Sequence, residues 1–315
     1  MATFYSTRYL SQWRIKMRSC RACGALSVAL LWCLPAASYA TENGGSVVPV
    51  GVQSMLPGLL MPAGNYLYNY NAWVNGFSAR DEHGNDNGMG MTMATQAHAF
   101  RLLHVADPGL IEAGNLAFEA NFVYTRTSLD MDYMDKSTSS GLSDITFGPS
   151  LGRHFGAYND IFALLVTAPT GEYDKNRLAN NGRNYWGIQA SWAWTWYPRR
   201  DVDISGLAKI VYNTRNEDTD YQSGIETNLE YSANYYFAQG FFVGVSGFWH
   251  SQISDDKQHN RSVGANGNRI NELTLGPQLG WGTPRYGAYF SWKRSLLSEN
   301  TMDISQLWLN TFIAF

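Results

Sequence analysis

From residue 65 to the C-terminus, apolar and polar side chains alternate in short segments separated by turn-forming residues. The pattern predicts twelve strands: 65–77, 93–105, 112–125, 142–155, 159–169, 184–197, 201–213, 224–237, 240–253, 269–282, 285–296 and 304–315. Most are close to the roughly 9–11 residues that a tilted strand needs to cross a bilayer. In 184–197 one face is Trp186, Ile188, Ala190, Trp192, Trp194 and Trp196, and the other is Tyr185, Gly187, Gln189, Ser191, Ala193 and Thr195. In 224–237 Ile225, Thr227, Leu229, Tyr231, Ala233, Tyr235 and Phe237 oppose Glu226, Asn228, Glu230, Ser232, Asn234 and Tyr236. Residues two apart share a face of a strand, so each segment has one apolar and one polar wall. Segments 93–105 and 159–169 alternate poorly.

A soluble sandwich alternates in the same way, and the connections separate the two. Long ones (78–92, 126–141, 170–183, 214–223, 254–268) alternate with short ones at Gly156–Tyr158, Pro198–Arg200, Ala238–Gln239 and Gly282–Pro284. The link at 106–111 is intermediate, and 297–303 is the shortest of the long set. Up-and-down outer-membrane barrels combine short periplasmic turns with long external loops. The last strand carries Leu307, Leu309, Thr311, Ile313 and the terminal Phe315 on one face, the stripe read by the outer-membrane assembly machinery. The fold class expected is therefore all-β: a closed, transmembrane, up-and-down antiparallel barrel of about twelve strands, with lipid and lipopolysaccharide against its outer wall. Trp196, Tyr197, Tyr235 to Phe237, Trp281 and Tyr286 flank the short turns and suit an interfacial aromatic belt.

The start of the chain adds a location. Arg14, Lys16, Arg18 and Arg21 precede the apolar run Ala25–Leu34, and Ser38 and Ala40 occupy the −3 and −1 positions of a cleavage site. Residues 1–40 thus read as a secretory signal peptide, with Met1 or Met17 as the start. All three cysteines (Cys20, Cys23, Cys33) fall within it, so the Cys20–Cys23 pair is not read as a metal or redox site. Export across the inner membrane of a Gram-negative cell to its outer membrane follows. Removing this leader takes away Arg8, Arg14, Lys16, Arg18 and Arg21 and no acid, moving the net charge from −3 to −8 and disfavouring a nucleic-acid partner. Charged residues make up 16% of the chain and aromatics 14%, which suits a protein that turns alternate residues toward lipid.

Three regions carry candidate function. Segment 41–64 holds Val47, Val48, Val50, Val52, Met55, Leu56, Leu59, Leu60 and Met61, and is either a plug in the lumen or a strap beneath the barrel of 65–315. Alternation places Glu119, Asp203, Lys209, Glu226, Glu230, Glu272 and Lys293 inward as pore-lining candidates; in a small barrel such charges pair across a narrow lumen. The loop from Thr167 to Trp186 carries Glu172, Asp174, Lys175, Arg177 and Arg183. It either folds inward as a gate or is a structural loop held by ion pairs. Catalysis is not expected: His250 and Ser251 are adjacent and point to opposite walls, and no GxSxG or metal-spaced histidine pair occurs. No metal or cofactor is expected.

The stretches Thr167-Ala-Pro-Thr-Gly-Glu-Tyr-Asp174 and Leu178-Ala-Asn-Asn-Gly-Arg-Asn-Tyr-Trp186, with Thr41-Glu-Asn-Gly-Gly-Ser46 and Tyr221-Gln-Ser-Gly224, resemble the SphA-like outer-membrane transporters of the MetA pathway of phenol degradation. That resemblance implies a passive outer-membrane channel for small hydrophobic, including aromatic, compounds. The alternative is a non-transporting barrel with a structural or surface-interaction role.

Overall fold

The computed structural model describes residue 42, residues 45–109 and residues 114–315. The expected signal peptide lies outside the described residues. Among the described residues sixteen strands occur in chain order: β1 (Gly64–Ala79), β2 (Thr92–Val105), β3 (Asn115–Met131), β4 (Met134–Leu142), β5 (Ile145–Phe155), β6 (Tyr158–Ala168), β7 (Gly187–Arg199), β8 (Val202–Asn213), β9 (Tyr221–Gln222), β10 (Glu226–Ala238), β11 (Phe241–Gln252), β12 (Lys257–Gln258), β13 (Arg261–Ser262), β14 (Asn271–Gly282), β15 (Tyr286–Glu299) and β16 (Met302–Ala314).

These strands close into a twelve-stave antiparallel barrel, in which β4 and β5 form one stave that pairs with β3 along its length. β1 pairs with β16, from Tyr66↔Ala314 to Ala79↔Met302, so the C-terminal stripe leaves no open edge. The short strands β9, β12 and β13 make a separate sheet within the long loops.

Alternation orients the walls as a bilayer requires. Along β10, Glu226, Asn228, Glu230, Ser232 and Asn234 are buried in the lumen, while Tyr235 and Phe237 are exposed outside. Ile188, Trp192, Trp196, Val243, Val245, Leu309 and Ile313 are likewise exposed on the outer surface. At the short-turn end, Phe237, Phe241, Trp281 and Tyr286 form a chain of ring contacts with centroids 5.6–6.3 Å apart. Trp281 keeps its indole N–H on the Gln239 carbonyl. This is the amphipathic arrangement expected of an interfacial belt.

One connection differs from expectation. Residues 126–141 are not a loop: β3 and β4 continue outward to a tight turn at Asp132–Tyr133, where Tyr133 adopts φ 66°. The Ser- and Thr-rich stretch that reads as loop instead pairs across the hairpin, with Ser128 and Thr138 hydroxyls 3.1 Å apart. Threonine suits a pleated surface, and such cross-strand hydroxyl pairs support it.

A motif recurs on two opposite staves. Ile145-Thr-Phe-Gly-Pro-Ser-Leu-Gly152 lies on the fourth stave and Leu273-Thr-Leu-Gly-Pro-Gln-Leu-Gly280 on the tenth. In each, the Gly-Pro pair interrupts the ladder to the next strand, between Phe147↔Val166 and Ser150↔Ala163 and between Leu275↔Arg294 and Gln278↔Ser291. Proline has no N–H to donate, so the ladder must lapse there.

Candidate functional site: a lumen threaded by the N-terminal segment

Residues 45–64 run through the barrel. At the short-turn end Leu60 packs with Tyr66, Leu103, Val105 and Ala117, and the Tyr66 hydroxyl donates to the Pro62 carbonyl at 2.8 Å. Near the long-loop end Val47 and Val48 pack against Tyr185 and Val211. Beyond them the Glu42 carboxylate accepts hydrogen bonds from the Tyr173 hydroxyl (3.0 Å), Thr219 (2.6 Å) and Asn216 (2.8 Å) of the long loops. Burial, and then the adjacent Glu42 charge, push the Tyr173 phenol up to about 12.

Between these ends the segment's backbone is held by side chains of one half of the barrel. Lys209 Nζ donates to the Pro49 carbonyl at 3.3 Å and Lys293 Nζ to that of Gly51 at 3.0 Å. The Val52 carbonyl accepts from Tyr289 and Asn310, each at 3.3 Å, and that of Ser54 from Gln278 at 3.2 Å. The Gln53 N–H donates to Glu230 at 2.7 Å and the Gly58 N–H to Thr195 at 3.1 Å. A non-helical chain with no ladder of its own needs such partners once buried, and the polar lumen wall supplies them.

All seven inward candidates are buried in the lumen, and the structure pairs most of them locally. Lys209 and Glu230 are 2.5 Å apart, and Glu230 also holds Gln53. Glu226 meets His250 Nε2 and Asn213, both at 2.8 Å. Asp203 accepts from Ser205 and Asn234. Glu119 forms an ion pair with Arg101, whose guanidinium stacks 5.3 Å from the Tyr68 ring. Glu272 accepts a long 3.5 Å hydrogen bond from Ser295. Lys293 also donates to Ser291 at 3.0 Å and lies 5.9 Å from the Trp308 ring.

The opposite half of the lumen has a different character. There Ala72, Val74, Ala97, Ala99, Val123, Ile161, Ala163 and Leu165 alternate with Thr95, Asn121, Thr125 and Ser150 along β1–β3, β5 and β6. Between this wall and the N-terminal segment lies a cavity of about 400 Å³. Arg101 and Glu119 are its charged pair on this side.

The Thr167–Trp186 loop folds over the long-loop end. Asn181 accepts from Thr125 at 3.2 Å through its side chain and from Ser143 at 2.7 Å through its carbonyl, while the Ala179 N–H donates to Ser137 at 3.0 Å. The four loop candidates divide. Glu172 and Asp174 pair with Arg177 on the solvent side, at 2.8 and 3.5 Å. Hydrogen bonding from the Asn176 N–H, aided by Arg177 and Lys175, lowers the Asp174 pKa. Arg183 instead turns inward, with its N–H on Asp144 at 2.8 Å and its guanidinium 3.4 Å from the Glu42 carbonyl. The inward fold and the ion pairs coexist in one loop.

Sequence reasoning missed Arg101, the neutral residues that hold the segment, and the apolar wall. β2 and β6 alternated poorly because apolar residues occupy both faces: Ala97, Ala99, Ile161, Ala163 and Leu165 inside, and Phe100, Leu102, Phe162 and Leu164 outside.

A closed antiparallel barrel with lipid-compatible walls, an aromatic belt and long loops at one end defines an outer-membrane β-barrel protein. Residues 76–311 match the family model described as putative MetA-pathway of phenol degradation, and the chain belongs to that family. Among solved structures it is similar to the COG4313 outer membrane channel from Pseudomonas putida F1, with 17% identity over 84% of this chain and 100% of that one and a TM-score of 0.72. It is more distantly similar to the β domain of the Bordetella autotransporter BrkA (11% identity, 81% of this chain, 100% of that one, TM-score 0.48) and to the CymD monoaromatic hydrocarbon channel (9%, 81%, 89%, 0.42). No curated protein matches the sequence.

Proposed function

We propose that the protein is a passive outer-membrane channel for small hydrophobic, including aromatic, compounds, exported behind a cleaved signal peptide and inserted by the barrel assembly machinery. The observation that carries this reading is the apolar cavity lying beside the N-terminal segment. A pore for ions or sugars needs charged or polar groups on the walls its cargo touches. Here many of those groups are turned onto the segment, and the free wall is mostly apolar, with Arg101 and Glu119 paired to each other. Family membership supports the reading, as does similarity to a protein described as an outer membrane channel.

In this reading residues 41–64 are the plug, and the seven inward charges line the lumen, with Lys209, Glu230 and Lys293 holding the plug. The loop bearing Glu172, Asp174, Arg177 and Arg183 is the outer gate. No step of this account is catalytic. Uptake of phenol and toluene into proteoliposomes tests it, with flux expected above protein-free vesicles. Deleting 172–181 should raise that flux, and unchanged flux would remove the gate from the account. The filled polar half of the lumen favours a second reading, a closed structural barrel, which predicts no flux from either protein.

A further inference from the structure

Methionine is concentrated at one place in this fold. Of ten methionines, five (Met89, Met91, Met93, Met131 and Met302) pack into a single apolar cluster at the long-loop end. Met93 lies on β2, and Met89 and Met91 stand in the connection just before that strand and pack into the same cluster. Met131 follows on the neighbouring β3, and Met302 stands on β16, across β1. Between them β1 presents Gly76. A Cβ there would lie 2.6 Å from the Met302 Cε and 3.1 Å from the Met93 Cβ, so the glycine leaves the space these two side chains use.

The cluster is also part of a cavity wall. Met93 and Met302 line the outer end of the lumen cavity, and Leu178 and Ala179 of the long loop close over it. Leucine or isoleucine would fill a permanent core more rigidly. Methionine has an unbranched, polarisable side chain with three rotatable bonds, adapts to guests of varied shape, and makes favourable sulfur contacts with aromatic rings.

We propose that this methionine cluster is a capture site for small neutral aromatic molecules at the outer mouth, with Leu178 and Ala179 as its lid. The thioethers contact the ring while the lid loop moves aside to admit it. The proposal rests on the channel reading for its purpose, but its binding step is separately measurable.

The test uses the protein in detergent micelles with [methyl-13C]methionine, each signal assigned by a single Met→Leu substitution. Toluene should produce saturable ring-current shifts at Met93 and Met302, far larger than at the exposed Met134. Cyclohexane, of similar size but without a ring current, should not. Shifts at the cluster no larger than at Met134 would overturn the proposal. In proteoliposomes the near-isosteric M93L/M302L variant should lower the toluene-to-cyclohexane uptake ratio about threefold. An unchanged ratio would also overturn it. Saturable shifts without uptake would support the capture site and defeat the channel reading; uptake without shifts would defeat the capture site alone.

Discussion

The Lys293 ammonium lies 3.0 Å from the Gly51 carbonyl oxygen, so a lysine of the barrel wall holds the backbone of the segment that crosses the lumen. The contact is buried and charge-assisted, of a kind worth about 1.5–3 kcal/mol. Lys293→Met keeps most of the volume and removes the donor. Amide exchange over residues 49–54 should rise about ten- to a hundredfold, while the strands stay protected. Unchanged exchange would mean that the lysine does not restrain the segment.

Gly58 sits against the barrel wall, where a Cβ would lie 2.3 Å from the Trp194 backbone carbons. Its N–H meets Thr195. Backbone cannot yield as a side chain tip can. Gly58→Val should therefore push this turn of the segment inward at a cost of about 1–3 kcal/mol, seen as faster exchange of residues 56–60 and a lower unfolding temperature.

On the apolar side of the lumen the buried Glu119 forms an ion pair with the half-buried Arg101. Glu119→Gln leaves a half-buried guanidinium without its counter-charge, and a loss of up to about 3 kcal/mol is expected. Thermal unfolding of the barrel reports it. R101M/E119L removes both charges and should recover most of that loss; no recovery would argue against charge burial as the cause.

At the long-loop end Asp220 pairs with Arg215 and, at 2.6 Å, with His259. The hydrogen bond from His259, then that from Arg215, lower the Asp220 pKa. A carboxylate held below its unfolded value stabilises the loops above the ordinary carboxylate range. That contribution is lost as pH falls through the lowered value, below about pH 4. Exchange in residues 215–222 and 257–262 should therefore increase below about pH 4, and Asp220→Asn should abolish that step.

Much of this architecture was legible in the sequence because a barrel wall must alternate. All twelve staves were placed within a few residues, except that Ser and Thr between 126 and 141 masked the β3–β4 extension. Charged lumen residues such as Glu230 and Lys293 stood out against apolar neighbours. Their partners did not, because Lys293 and Gly51 are brought together only by the path of the segment through the closed barrel. The apolar wall was hidden for another reason: Ala97 and Ala99 inside differ from Phe100 and Leu102 outside in size alone. The methionine cluster spans β2, β3 and β16, and only ring closure makes β16 a near neighbour of β2.

The central claim is that small apolar molecules cross along the free wall beside the N-terminal segment. Blocking that wall tests it most directly. Ala97 on β2 and Ala163 on β6 line the same free wall of the cavity, and A97F/A163F fills it without touching the polar residues that hold the segment. Toluene flux into proteoliposomes should fall at least tenfold against the unmodified protein, with the barrel still folded by its resistance to unfolding in detergent. Full toluene flux through a correctly folded A97F/A163F protein would contradict the account.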